Sequence, residues 1–163
     1  MKRPEFIKHY SEIQEEDNSH YREAPEEKLT IGSPFGKAFG LKALGIHHEL
    51  LKAGRRTSWP HAESHEEEFV YVIEGNPDAW IDGVLYPLRP GDAVGFPAGT
   101  GISHTFINNT KEDVRLLVVG ETNKKENKIF YPLNPERKER VAESWWNDVP
   151  TRTLGPHNGK PNR

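Results

Sequence analysis

Between Leu41 and about Gly120 the chain is cut into short apolar runs by Gly, Pro, Asn and Asp. The runs are ALGIHHELL, EFVYVIEG, AWIDG, VLYPL, AVGFP, SHTFIN and VRLLVVG. Runs this short, closed so regularly by turn residues, leave no room for long amphipathic helices. Each suits a strand that ends in a turn. Many such strands in succession predict an all-β sandwich or barrel. With 163 residues the chain is long enough to bury a core as one domain, and with no cysteine it needs no disulfide and has no thiolate chemistry.

The flanks differ in character. Residues 1–40 are highly charged and then broken by Gly32, Pro34, Gly36 and Gly40, which predicts an irregular arm packing on the barrel. Residues 121–163 turn polar again. Within them NPERKERVAESWWNDVP predicts one short helix, with Asn134 as N-cap, Pro135 at the first helical position and Pro150 beyond its end. The remainder, TRTLGPHNGKPNR, has no periodicity and is expected to be a disordered tail. The expected organisation is therefore an arm over 1–40, a barrel over 41–120, and a helix and tail over 121–163.

Charge excludes some functions. Lys+Arg 22 against Asp+Glu 25 gives a net charge of −3, which supplies no broad attraction for nucleic acid or an anionic membrane. No apolar run has the length of a signal peptide or a membrane span, so a cytoplasmic protein is expected.

The chemistry concentrates in SWPHAESHEEEFVYVIEG, Ser58 to Gly75, where two histidines and four glutamates precede an apolar run. Strand residues alternate between faces. Glu68, Val70 and Val72 therefore share one face, and Phe69, Tyr71 and Ile73 the other. Both faces are apolar, so the strand is expected to be covered on both sides, with Glu68 at the mouth of a buried face. If extended, His61, Glu63 and His65 also share a face, as do His104, Phe106 and Asn108.

These residues fall into two spaced motifs. In the first, Gly54, His61, Glu63, Glu68 and Gly75 follow one another; in the second, Gly91, Pro97, Gly99, His104 and Asn108. The pair resembles the two signature motifs of the cupins, with glutamate at the position of the second histidine. One extra residue follows Gly54, and four residues separate Gly99 from His104. The resemblance covers roughly residues 41–120. It implies a jelly-roll-like β-barrel, or double-stranded β-helix, that gathers both motifs at its mouth. It further implies a divalent transition-metal ion such as Zn, Fe, Mn or Ni, held by His61, Glu63, Glu68 and His104, with His65 in reserve for Glu63. A small-molecule substrate and a homodimer are the implied partners. The implied function is a metal-dependent enzyme of isomerase, dioxygenase or decarboxylase type. Its substrate would be a carbohydrate, sugar phosphate or carboxylic acid, and catalytic residues stay unassigned. A metal-independent sugar or small-ligand binding module is the alternative, with a regulatory sensor domain behind it.

Other residues carry blander expectations. His61 and His65 are four apart, but Ala62 stands where a zincin helix needs glutamate. His47 and His48 are expected as paired surface histidines, although one could face the interior. Arg55, Arg56, Arg89 and Arg115 are expected to be solvated. Trp145 and Trp146 are expected to pack the C-terminal helix onto the barrel or a second subunit.

Overall fold

The computed structural model describes residues 3–122 and 124–162. Ten strands are present: β1 (Ile31–Pro34), β2 (Leu44–Leu51), β3 (Ala62–Glu63), β4 (Glu68–Glu74), β5 (Asp78–Ile81), β6 (Val84–Pro87), β7 (Ala93–Phe96), β8 (His104–Ile107), β9 (Val114–Glu121) and β10 (Ile129–Phe130). A larger sheet has the order β1-β2-β9-β4-β7, a smaller one β6-β5-β8, and β10 pairs with β3. The fold is thus the all-β architecture that the punctuation of the sequence predicts. All seven predicted strand runs appear, because each places apolar residues on at least one inward face.

The core lies between the two larger sheets. Leu51, Val70, Val72, Phe96, Val114 and Leu116 from the first meet Ala79 and Phe106 from the second. Burying these side chains contributes about 1.5–3 kcal/mol for each large one, which is the main term holding the sheets together. Asn108 ties the far end, donating from Nδ2 to Leu51 O at 2.9 Å and Glu112 O at 2.8 Å. A second cluster of Trp59, Tyr131 and Trp145 packs beside the first, with Tyr21 stacked on Trp59.

Several expectations change here. The arm is not wholly irregular: Ile31 to Pro34 pair antiparallel with Leu50 to His47 and form the edge strand β1. Proline, with no N–H to donate, is tolerated at such an edge. A short helix, α1 (Phe35–Ala38), follows it, and its Gly36 fits because a Cβ there would lie 2.6 Å from Leu44 O.

The C-terminal helix is shorter than predicted. It comprises α2 (Arg137–Val141) and a 3-10 turn over Ala142–Ser144, with Glu136 rather than Asn134 at the N-cap position. Asn134 instead donates to Glu136 Oε1 at 2.9 Å. Tertiary packing ends the helix, since Trp145 bridges to Ile129 in extended geometry and buries its ring with Trp59 and Tyr131. Both tryptophans pack against the body of the same chain.

The described part of the tail is held in place. His157 O accepts from Trp80 Nε1 at 3.0 Å, and Gly159 O accepts from Arg56 Nη1 at 2.7 Å. The tail thus covers the outer face of β5. Arg56 is buried, bonded to Glu27 at 2.6 and 2.9 Å, and Arg55 bonds Asp17 at 2.6 Å, so neither is simply solvated.

The outer face of β4 also departs from expectation. Phe69, Tyr71 and Ile73 are 43%, 38% and 44% exposed, so within the chain this strand is covered on its inner face only. The neighbouring outer face of β2 is covered, because Tyr10 of the arm stacks on His48 at 4.2 Å.

Candidate metal centre

Two loops and two strands bring the candidate ligands together. His61 and His104 form an isolated antiparallel bridge, with His104 N donating to His61 O at 2.9 Å and His61 N to His104 O at 3.2 Å. Residues paired in this way project to the same face, and their rings lie 5.1 Å apart. Glu68 opens β4 on the inner face. Each of His61, Glu68 and His104 offers a ligand atom, and these atoms lie within 4.8 Å of one another.

The hydrogen bonds orient the imidazoles. His61 Nδ1 lies 2.9 Å from Trp59 O, and His104 Nδ1 lies 3.4 Å from Ile102 O. A carbonyl oxygen only accepts, so the His61 Nδ1 carries the proton and the neutral His61 ring keeps a bare lone pair on Nε2. His104 Nε2 lies 3.1 Å from Glu68 Oε1. As a hydrogen bond, this contact points the Nε2 proton at the carboxylate, and a divalent ion would take the place of that proton. The donor set therefore fits a divalent ion, and two imidazoles with a carboxylate suit Zn, Fe, Mn or Ni.

Electrostatics point the same way. Burial, reinforced by His104, pushes His61 down to about 4, so its ring is neutral and ready to ligate. Burial would raise the Glu68 carboxyl, but the His104 hydrogen bond and the neighbouring histidine charges outweigh it and hold Glu68 below its ordinary value. The Phe96 ring stacks on His104 at 3.5 Å and fixes the imidazole plane.

The fourth position separates the two candidates from the sequence. Glu63 lies on β3, opposite Ile129, and lines the same small cavity as His61, Glu68 and His104. Burial, then Glu66 and Glu68, push its carboxyl up to about 7. It lies outside the tight three-residue cluster. His65 is exposed, and its Nδ1 is taken by Ser64 Oγ at 2.7 Å.

An open cavity of about 240 Å³ adjoins the cluster. Its inner wall includes His47 and Glu49 of β2, which the sequence reading left out of the site. Burial lowers His47 against the opposing pull of Glu15 and Glu68. Burial and the Glu68 charge push Glu49 up to about 8. The signal was present: Leu51 points into the core, so strand alternation sends Glu49, His47 and Gly45 to the same side. His48 points the other way, beneath Tyr10, so the histidine pair straddles the sheet rather than lying on open surface.

Residues 47–120 match the cupin domain family. This chain belongs to the cupin superfamily. The resemblance reaches solved structures. One protein from Acidithiobacillus ferrooxidans, provisionally assigned as a sugar phosphate isomerase, is 28% identical, with a TM-score of 0.70 over 78% of this chain and 81% of that one. A cupin-superfamily sugar phosphate isomerase from Silicibacter pomeroyi is 32% identical, with a TM-score of 0.60 over 63% of this chain and 64% of that one. Among curated proteins, the polyketide synthase protein CurC of Streptomyces cyaneus is 34% identical over 68 residues. This cupin spans only 42% of the length of that relative.

Proposed function

We propose that this cupin is a metal-dependent enzyme acting on a small polar substrate, of the carbohydrate, sugar phosphate or carboxylic acid class. The observation that carries the reading is the convergence of His61, Glu68 and His104 beside an open cavity. A buried carboxylate without a counterion costs several kcal/mol, and a divalent ion bound by this cluster would remove that cost. His61, Glu68 and His104 would hold the ion, with Glu63 as fourth ligand. When bound, such an ion acts as a Lewis acid on a substrate oxygen. The protein would do the rest: the Trp59 carbonyl keeps His61 in the ligating tautomer, and Phe96 holds His104 in plane. Two relatives named as sugar phosphate isomerases favour isomerisation over the other reaction types.

The reading extends to the assembly. The exposed apolar face of Phe69, Tyr71 and Ile73 suits a second copy of the chain, giving a homodimer. No helix among the described residues is long and apolar enough to cross a membrane, and the working compartment proposed is the cytoplasm.

Elemental analysis of the purified protein, after growth and reconstitution in each candidate metal, tests the reading. About one transition-metal ion per chain is expected, and loss of binding as pH falls through the histidine range. Protein that stays metal-free after reconstitution would overturn it.

A further inference from the structure

The cavity beside the cluster owes its existence to two glycines. Across the larger sheet, Gly45 pairs with Gly120, and Gly120 pairs with Glu68. All three face inward in one row, so the two successive positions on the β9 and β2 side of Glu68 carry no side chain. The next row is His47, Val118 and Val70, and the one after it Glu49, Leu116 and Val72. His47 and Glu49 thus stand as a polar wall over an otherwise apolar floor. Oε2 of Glu49 is buried with no hydrogen-bond partner, an acceptor held ready where burial normally demands one.

The charge of the lining is one-sided. Glu49, Glu63, Glu66, Glu67, Glu68 and Glu121 border the opening, and no Lys or Arg does so among the described residues. Lys124 lies close by, but its ammonium is taken by Glu121 Oε2 at 2.6 Å and His65 O at 2.7 Å. A divalent ion held by Glu63 and Glu68 is balanced by those two carboxylates. Glu66 and Glu67 then have no cation to offset them at the opening. A phosphorylated or carboxylated ligand meets repulsion there, and no guanidinium or ammonium is free in the lining to receive it. Hydroxyl groups meet the reverse: carboxyl oxygens are acceptors, and hydroxyls supply donors.

We propose that this cupin binds an uncharged, polyhydroxylated small molecule of sugar size in the cavity opened by Gly45 and Gly120, with Glu49 and His47 as its hydrogen-bond partners. The proposal rests on the metal-centre reading in one respect: the ligand lies beside the bound ion. It narrows that reading, selecting neutral carbohydrate over sugar phosphate and carboxylic acid.

The test is calorimetric titration of the metal-loaded full chain with erythritol, ribose and glucose, each beside its own phosphate ester and its aldonate. At least one neutral compound should bind roughly tenfold or more tightly than its two anionic counterparts, a margin matching loss of a hydrogen bond or gain of like-charge contact. Glu49→Ala should weaken that binding by roughly tenfold at unchanged metal content. Gly45→Val should abolish it, again without loss of metal. A Cβ at Gly45 meets nothing nearer than 3.7 Å, so this variant is expected to fold. Tighter binding of the anions, or no binding of any neutral compound, overturns the proposal. Metal content is measured on the same samples. A metal-free protein that still binds the neutral compound would sink the metal reading and leave this one standing.

Discussion

His104 joins every part of the candidate site. It bridges His61 through the backbone, faces Glu68 at 3.1 Å, and is clamped by the Phe96 ring. Replacing it with alanine removes a proposed ligand and leaves Glu68 without its imidazole partner. Disturbing a group that merely orients a ligand typically costs about ten- to a hundredfold in metal affinity, so His104→Ala should cost at least that. Glu63→Gln should weaken metal binding far more than His65→Ala, as read by competition with a chelator. The opposite ranking would move the fourth position to His65. A second prediction concerns the metal-free protein. Glu49 has its folded value raised from 4.5 to about 8. Between those values the folded chain keeps a proton that the unfolded chain has released, so stability falls as pH rises through that window. His61 acts at the other limb, lowered from 6.5 to about 4, so stability is lost as pH falls between them. Urea unfolding in chelator should therefore show Glu49→Gln gaining on the parent from pH 4.5 to 8, by a few kcal/mol at most, and then levelling. A constant difference across that range would remove the explanation.

At the scale of elements, the strands hold the site by register, and the turns set the register. β4 ends at Glu74, just before Gly75, whose φ of +82° is in the left-handed region. A Cβ there would lie 2.7 Å from Val114 Cγ2 and 2.9 Å from Asp113 O. Gly75→Ala should therefore lower stability by about 1–3 kcal/mol, seen as a shifted urea midpoint with little change in slope. The seven strands β2 and β4 to β9 were legible in the sequence, because period-two alternation and turn residues are local signals; the short β1, β3 and β10 were not. His61, Glu68 and His104 were legible too, because the two motifs fix their spacing. The C-terminal helix was legible only in part. Asn134 and Pro135 look like a helix start, yet the burial of Trp145 against Trp59 and Tyr131 outweighs a weak local preference and ends the helix early.

At the scale of the whole molecule, the termini complete the body. The tail accepts hydrogen bonds from Trp80 and Arg56, both buried. Removing residues 151–163 would leave an indole N–H and one guanidinium nitrogen without partners. Such losses cost roughly 1–3 kcal/mol each, so the truncated chain should melt several degrees lower with red-shifted tryptophan fluorescence. The open face of β4 makes the second prediction at this scale. Phe69→Glu should leave the monomer fold intact, since the ring is 43% exposed, and sedimentation should show a dimer in the parent and a monomer in the variant. Equal masses would end the assignment of that face to a second copy.

The sequence by itself determined seven of the ten strands, the cupin resemblance and three of the proposed ligands, since alternation, turn chemistry and motif spacing are written in neighbouring residues. Only the tertiary structure decided the rest. It set His47 and Glu49 on the cavity wall and aligned Gly45, Gly120 and Glu68 in one row, through a register that joins three strands far apart in the chain. It also buried Arg56 and tied down a tail whose own sequence offers no periodicity. Those outcomes depend on which surfaces meet, and desolvation and hydrogen-bond demand arise only where they do.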